Sequence, residues 1–121
     1  MSLFGPGEAE RVGTLSFVLD GWDSGRLAAV LSAEYGIGVR DGLFCAHLLA
    51  TRLLRRAGVD PEVTGSAVRA SLGLATTAEH VDRLVRALDE VSTRGPRWHY
   101  AVVDGRWQPH PDPRAYPTLL R

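Results

Sequence analysis

Lysine is absent from the 121 residues, so all 14 basic side chains are arginines. A protein forms a Schiff base with a carbonyl compound through a lysine amine, and these residues alone therefore exclude covalent catalysis of that kind. The 14 acidic side chains balance the arginines and leave no formal net charge. A neutral chain has no general attraction to nucleic acid or to an anionic membrane, and neither is expected as a partner.

Cysteine is scarce too, since it occurs only at Cys45. One cysteine cannot form an internal disulfide, which favours a reducing, cytoplasmic location. No apolar run approaches the roughly 20 residues that cross a bilayer, and the first residues lack the pattern of a secretory signal. Cys45 and His47, with His80 or His99, match no spacing of a structural zinc site, so no metal is expected. The common phosphate-binding, dinucleotide-binding and hydrolase motifs are also missing.

The apolar pattern predicts one small domain in which strands and helices follow one another. Residues 14–20 and 68–74 alternate as strands do, and the second strand has an apolar face formed by Val68, Ala70, Leu72 and Leu74. Helical spacing predicts helices near 24–35 and 46–56 and a third after the capping box Thr76-Thr77-Ala78-Glu79. Asp104-Gly105 lies between two alternating segments and predicts a tight hairpin.

These elements predict an α/β fold of the α+β two-layer sandwich type. It would have a small mixed sheet, helices packed on one face of that sheet, and a C-terminal β-hairpin. Residues 12–108 are expected to form the domain. Residues 1–11 are expected to be a flexible lead-in or an interdomain boundary, and residues 109–121 a proline-rich extended tail.

Two segments of the chain resemble a known family. Residues 36–47 contain Arg40-x-Gly42-x-x-Cys45-Ala46, and residues 67–73 contain Arg69-x-Ser71. Their order and spacing, from about Val12 to Val91, resemble the small C-terminal domain of class V aminotransferases and cysteine desulfurases. These are enzymes of fold type I that use pyridoxal phosphate (PLP). The resemblance implies a cytoplasmic transferase or desulfurase that acts on an amino acid.

The resemblance also implies roles for three residues. An arginine at the place of Arg69 binds the substrate α-carboxylate in this family, a task that suits a planar, permanently charged guanidinium. Arg40 is a second candidate for substrate binding. In the desulfurases, the cysteine at the place of Cys45 is catalytic and carries sulfur as a persulfide, which requires an exposed thiolate near positive charge.

The chain departs from the desulfurase pattern in two places. Leu43 and Phe44 stand where desulfurases usually carry two histidines, and Leu48 stands where they carry a proline. Loss of the histidines removes acid–base groups beside Cys45, so the pattern supports the family's fold more strongly than it supports sulfur transfer.

Each candidate residue also has a purely structural interpretation. Cys45 could be a small buried apolar side chain, and Arg69 could form a salt bridge with Asp41 or Asp20. Arg40 could be solvated or bridge to an acid. The sequence leaves these alternatives open.

The family's large domain is the main partner that the resemblance implies, because it carries the PLP lysine and the other PLP contacts. A domain separated from it is expected to expose an apolar docking face and to self-associate. Two further hypotheses remain. One is a stand-alone, non-enzymatic module that binds a carboxylate or a protein through the Arg69 face, and the other is a sulfur-relay protein that uses Cys45.

Overall fold

The structure, a computed structural model, describes residues 1–5, 7, 10 and 12–115. Helices and strands follow one another along most of this part of the chain. The helices are α1 (Ser24–Tyr35), α2 (His47–Arg56), α3 (Pro61–Thr64) and α4 (Ala78–Arg94). The strands are β1 (Ser2–Leu3), β2 (Thr14–Val18), β3 (Arg40–Gly42), β4 (Ala67–Ser71), β5 (Tyr100–Val103) and β6 (Arg106–Pro109).

The main sheet has four strands in the order β1-β2-β4-β3, and β5 and β6 form a separate hairpin. The predicted α/β class and the predicted hairpin are confirmed. The prediction of a mixed sheet is wrong, because every strand pairing among the described residues is antiparallel. The chain runs from β2 through α1 to the edge strand β3, and β3 pairs with β4 and not with β2.

One face of the main sheet packs against α1 and α4. Phe17 and Leu19 on the β2 side and Val68 and Ala70 of β4 are buried there with apolar residues of the two helices. The helical residues of this cluster are Leu27, Val30, Leu31, Ala87 and Val91. Burial of so many large apolar side chains makes this layer the main source of stability.

The opposite face is also covered, in part, by α2. Val18 and Ala67 alternate with the first cluster along their strands and are fully buried against Leu54 of α2. The prediction that helices pack on one face only is therefore wrong. The physical reason is that β2 carries apolar residues on both faces at its C-terminal end, and each face needs a cover.

Two predicted boundaries shift. The predicted strand over 68–74 ends at Ser71, and Leu72 and Leu74 are exposed instead of forming part of the apolar face. The capping box is displaced by one residue, because α4 has Thr77 as its N-cap, and His80 Nδ1 accepts from the Thr77 amide at 3.3 Å. The Thr76 hydroxyl oxygen instead accepts a hydrogen bond from the Gly73 amide at 2.9 Å.

The other edge strand, β3, is short. Strand β3 begins at Arg40, while Ile37 and Val39 pack against the main core. Helix α1 is as predicted. Asp23 caps it by accepting from the Arg26 amide at 2.8 Å, and Gly36 ends it in the left-handed conformation at φ 63°.

The hairpin is fastened to α1 by a buried carboxylate. The side chain of Glu34 is 0% exposed and accepts from the Arg97 amide, the Trp98 amide and the Tyr100 hydroxyl at 3.0–3.2 Å. Burial, and then the negative charge of Glu34, raise the pKa of the Tyr100 hydroxyl, which therefore remains a hydrogen-bond donor. The turn has left-handed Asp104 and Gly105, as the sequence predicts for a tight hairpin.

The two ends of the chain are described only in part. Ser2 and Leu3, within the predicted lead-in, pair with β2 and form an edge strand. Residues 6, 8, 9 and 11 of the lead-in lie outside the described residues, as do residues 116–121 of the predicted tail. The described part of the chain contains no helix long and apolar enough to span a membrane.

Candidate functional site

A row of polar side chains crosses one face of the main sheet. Ser16 of β2 pairs with Arg69 of β4, and Arg69 pairs in turn with Arg40 of β3. Residues directly opposite each other on antiparallel strands point to the same face, with Cβ atoms about 5 Å apart. The structure therefore brings together the two arginines that the sequence singled out, and it adds a serine that the sequence did not indicate.

Arg69 is half-buried and lies beside an aromatic ring. Its guanidinium carbon is 5.1 Å from the centroid of the Phe44 ring, a distance at which cation and ring attract. Its Nε is buried and donates no hydrogen bond to any described residue. A buried donor without an acceptor costs about 1–3 kcal/mol, so the position of this guanidinium is unfavourable in the chain alone.

The salt bridges that the sequence allowed for Arg69 are not formed. Asp41 pairs with Val68 and so lies on the other face of the sheet, where its carboxylate approaches Gly25 of α1. Asp20 forms its ion pair with the amino terminus of Met1, at 2.7 Å. Among the described residues, no acid pairs with Arg69 or with the exposed Arg40.

A second arginine resembles Arg69 in one respect only. The Nε of Arg26 is also buried without a described acceptor. Its guanidinium, however, lies over the rings of Trp22 and Trp107, at 5.2 Å and 5.6 Å from their centroids. That arrangement joins the hairpin to α1 and explains Arg26 as a packing residue.

The loop between β3 and α2 holds Phe44 and Cys45 in an uncommon backbone conformation. Both residues have positive φ values, 53° and 58°, and the Ala46 amide closes the turn onto the Leu43 carbonyl at 2.8 Å. Left-handed backbone is unfavourable for residues with a Cβ, so the tertiary structure must hold this turn. Contact of Phe44 with Arg69 is one interaction that does so.

Cys45 lies at the tip of this turn, directly before the N-cap of α2, and is exposed. The interpretation of Cys45 as a buried apolar side chain is therefore wrong. An exposed thiol is open to reagents and partners. Its catalytic role is not tested by the structure and stays a prediction.

An apolar pocket of about 270 Å³ opens beside the row of polar side chains. Phe44 and Ser16 line it, so it adjoins Arg69 on the same face of the sheet. Its other walls come from β2, the start of β4, the loop before α2, one stripe of α2 and the N-terminal segment. These residues are Phe4, Gly5, Thr14, Leu43, Ala46, Leu49, Ala50, Leu53 and Ala67.

The described residues form no metal site, and the sequence offers no lysine for covalent attachment of PLP. No group of three His, Cys, Asp or Glu side chains within the described ranges could hold a metal ion. The 121 residues contain no lysine and so do not fit the covalent attachment of PLP. An unpaired guanidinium does lie next to a carbon-lined pocket, an arrangement that is suited to binding.

Comparison with known families identifies the chain's relatives. The family model described as aminotransferase class V matches residues 1–84 of the 121 residues. The chain belongs to the class V aminotransferase family. Among curated proteins, none matches the chain.

The match to the class V aminotransferase family covers the main sheet and the candidate site residues. The matched residues run from β1 into α4 and include Arg40, Cys45 and Arg69, whereas the hairpin lies beyond them. Class V aminotransferases generally depend on PLP, so this is a domain related to PLP enzymes. Sequence reasoning missed Ser16 and the stacking role of Phe44, because only the strand register and the loop turn bring them to Arg69.

Proposed function

We propose that this domain contributes the carboxylate-binding arginine and an active-site loop to a PLP-dependent class V aminotransferase or cysteine desulfurase-like enzyme that acts on an amino acid. Arg69 would bind the substrate α-carboxylate, and Arg40 would add a second positive charge. The PLP lysine would belong to a large domain outside these 121 residues, which are not catalytic alone.

One observation carries the proposal, namely the unpaired guanidinium of Arg69. A half-buried arginine normally meets an acid or a carbonyl oxygen. Arg69 meets the Phe44 ring and the like charge of Arg40, while its Nε has no acceptor among the described residues. A bidentate carboxylate would supply that acceptor and would also offset the repulsion between the two guanidinium groups.

Titration of the purified chain with acetate tests the carboxylate site. We expect acetate to shift the NMR signal of the Arg69 Nε–H, and we expect Arg69→Lys to weaken binding about tenfold or more, because an ammonium cannot form the planar, two-pronged contact. Arg52→Lys is the matched control on exposed α2. Acetate binding that is unchanged in Arg69→Lys would contradict the proposal.

The PLP part of the proposal needs a different experiment. The protein would be immunoprecipitated from its own cells, treated with borohydride to fix PLP to its lysine, and digested for mass spectrometry. A PLP-lysine peptide in the same polypeptide, or in a stoichiometric partner, is the expected result. Recovery of the chain at its own size of 13.1 kDa with no such peptide would leave a carboxylate-binding module.

Apolar side chains on the surface support a docking face for the proposed large domain. Leu72 and Val81 line one shallow pocket at the start of α4, and Val85 lies one turn further along and is 59% exposed. Without its partner, such a face favours self-association. Sedimentation is expected to show that the chain associates more as its concentration rises, and that Val85→Glu associates less. A wild-type chain that stays monomeric at all concentrations would argue against this face.

Exposure of Cys45 favours one second candidate, a sulfur-relay function. It requires a thiol that reacts unusually fast in the folded chain. If Cys45 in the folded chain is alkylated only as fast as in the urea-unfolded chain, the sulfur-relay function is excluded. A much faster rate in the folded chain, which falls in Arg40→Leu, would support it.

A further inference from the structure

We propose that the pocket beside Arg69 takes the apolar side chain of the substrate, so that this site prefers a monocarboxylate with a branched aliphatic or aromatic side chain. The inference rests on the proposed role of Arg69 in binding the carboxylate. It adds the substrate class, which neither the family match nor the sequence motifs indicate.

The walls of the pocket are mainly hydrocarbon. Leu49, Ala50 and Leu53 of α2 follow the N-cap Ala46 at helical spacing, and the four form a continuous stripe that faces the pocket. Leu43 and Phe44 close one side. Ser16 and Thr14 supply the side-chain hydroxyl groups of the lining, and the lining contains no charged side chain.

Two residues join the pocket to the guanidinium. Phe44 lines the pocket and also lies 5.1 Å from the guanidinium carbon of Arg69. Ser16 lines the pocket and is the β-sheet partner of Arg69. A ligand whose carboxylate binds Arg69 can therefore extend its carbon chain along the Phe44 ring into the pocket without leaving this face of the sheet.

The size of the pocket suits a small ligand. Pockets for drug-sized molecules run from about 300 to 1,000 Å³, and this one, at about 270 Å³, lies just below that range. A side chain of a few carbons fits within it. Each buried methylene contributes about 0.8 kcal/mol, so four carbons more than acetate carries should raise affinity by well over tenfold.

A dicarboxylate is the competing ligand class, because Arg40 lies directly opposite Arg69. The structure favours the apolar ligand for two reasons. Arg40 is exposed, so its attraction for a second carboxylate is weakened by solvent. A second carboxylate in the pocket would meet the carbon walls of α2 and would lose its hydration without a charged partner.

Calorimetric titration of the purified chain with four ligands tests the inference. Acetate supplies the charge alone, isocaproate adds a branched chain, isocaproamide keeps the chain without the charge, and glutarate adds a second charge. We expect isocaproate to bind at least about tenfold more tightly than acetate, isocaproamide or glutarate.

Two variants on neighbouring positions of α2 provide the matched comparison. Leu49 lines the pocket and is 58% exposed, whereas Leu48 is 82% exposed and does not line it. Leu49→Gln should weaken isocaproate several-fold and leave acetate unchanged, while Leu48→Gln should change neither. Both positions are surface-accessible, so both variants are expected to fold, and thermal melting checks this.

The outcomes separate this inference from the proposed function. Equal, Arg69-dependent binding of acetate and isocaproate would overturn the pocket inference and leave the carboxylate site intact. Tighter binding of glutarate would overturn it in favour of a site for dicarboxylates. Binding of every ligand independent of Arg69 would overturn the proposed function and, with it, this inference.

Discussion

Arg40 and Arg69 lie directly opposite each other on antiparallel strands β3 and β4, so two guanidinium groups share one face of the sheet. Like charges at such paired positions are destabilising. No acid among the described residues pairs with either arginine. The pair is therefore expected to lower the stability of the free chain, and under the proposed function an anion would offset that loss.

Arg40→Glu is therefore expected to stabilise the free chain. It turns a repulsive cross-strand pair into an attractive one, and pairs of this kind contribute about 0.2–1 kcal/mol. The free energy of unfolding in urea is the measurement. Arg52→Glu, on the exposed side of α2, is the control for the change in net charge. If Arg40→Glu is no more stable than Arg52→Glu, the two guanidinium groups do not repel each other measurably.

The buried carboxylate of Glu34 is expected to hold the hairpin in place. Glu34→Ala removes the acceptor for the Arg97 amide, the Trp98 amide and the Tyr100 hydroxyl and should cost roughly 1–3 kcal/mol, because the Trp98 and Tyr100 donors are partly buried and lose their partner. Glu34→Gln keeps one carbonyl oxygen and should cost less.

Urea unfolding measures the cost, and hydrogen exchange of the amides of residues 100–108 locates it. Glu62→Ala changes an exposed glutamate and should stay within about 0.5 kcal/mol of wild type. Equal stability of Glu34→Ala and Glu62→Ala would show that the hairpin is held by other contacts.

Stability should fall on acidification partly through Glu90. A hydrogen bond from Arg97, and then one from the Tyr35 hydroxyl, hold the pKa of the Glu90 carboxyl below its ordinary value of 4.5. Its contribution is therefore present above the ordinary pKa and is lost as the pH falls through the lowered pKa of the folded state.

The measurement is the free energy of unfolding between neutral and strongly acidic pH. Glu90→Gln should flatten the acid part of this curve. Glu79→Gln, on the same helix and without a hydrogen bond or ion pair to any described residue, should keep the wild-type slope. Parallel curves for all three proteins would mean that Glu90 contributes nothing through its charge.

Glycine at position 45 is expected to be at least as favourable for stability as alanine, which is the reverse of the usual order. At an ordinary position, alanine to glycine costs about 0.5–1 kcal/mol. At φ 58°, however, a Cβ is itself unfavourable by about 1–2 kcal/mol. Cys45→Gly is therefore expected to be at least as stable as Cys45→Ala in thermal or urea unfolding.

Ala57→Gly is the reference for this comparison. Ala57 ends α2 in the right-handed conformation at φ −73°, so glycine should there be the less stable residue. A similar loss of stability on going from alanine to glycine at both positions would indicate that the loop does not hold Cys45 in a left-handed conformation in solution.

Elements governed by local interactions were predictable from the sequence. Helix α1 begins after its N-cap Asp23 and ends at its left-handed C-cap Gly36, because both caps interact only with residues a few positions away. The hairpin follows in the same way from Asp104-Gly105. Alternation along the predicted strand 68–74 correctly separated Arg69 from the apolar face of Val68.

Features that depend on distant residues were not predictable. The end of β4 at Ser71 depends on where β2 begins, since Thr14 is the partner of Ser71. Burial of the second face of the main sheet depends on where α2 packs, and Leu54 of α2 packs there with Val18. Leu72 and Leu74 continue the apolar alternation, but no described strand or helix buries them.

The sequence by itself determined what this chain cannot do and which residues could act. Without lysine it cannot hold PLP covalently, and its motifs single out Arg40, Cys45 and Arg69. Only the tertiary structure decided their arrangement. Antiparallel pairing set Arg40 and Ser16 beside Arg69, and the left-handed turn brought Phe44 onto the guanidinium. Strand register and helix docking are set by the burial of apolar surface far apart in the chain, which local sequence patterns do not encode.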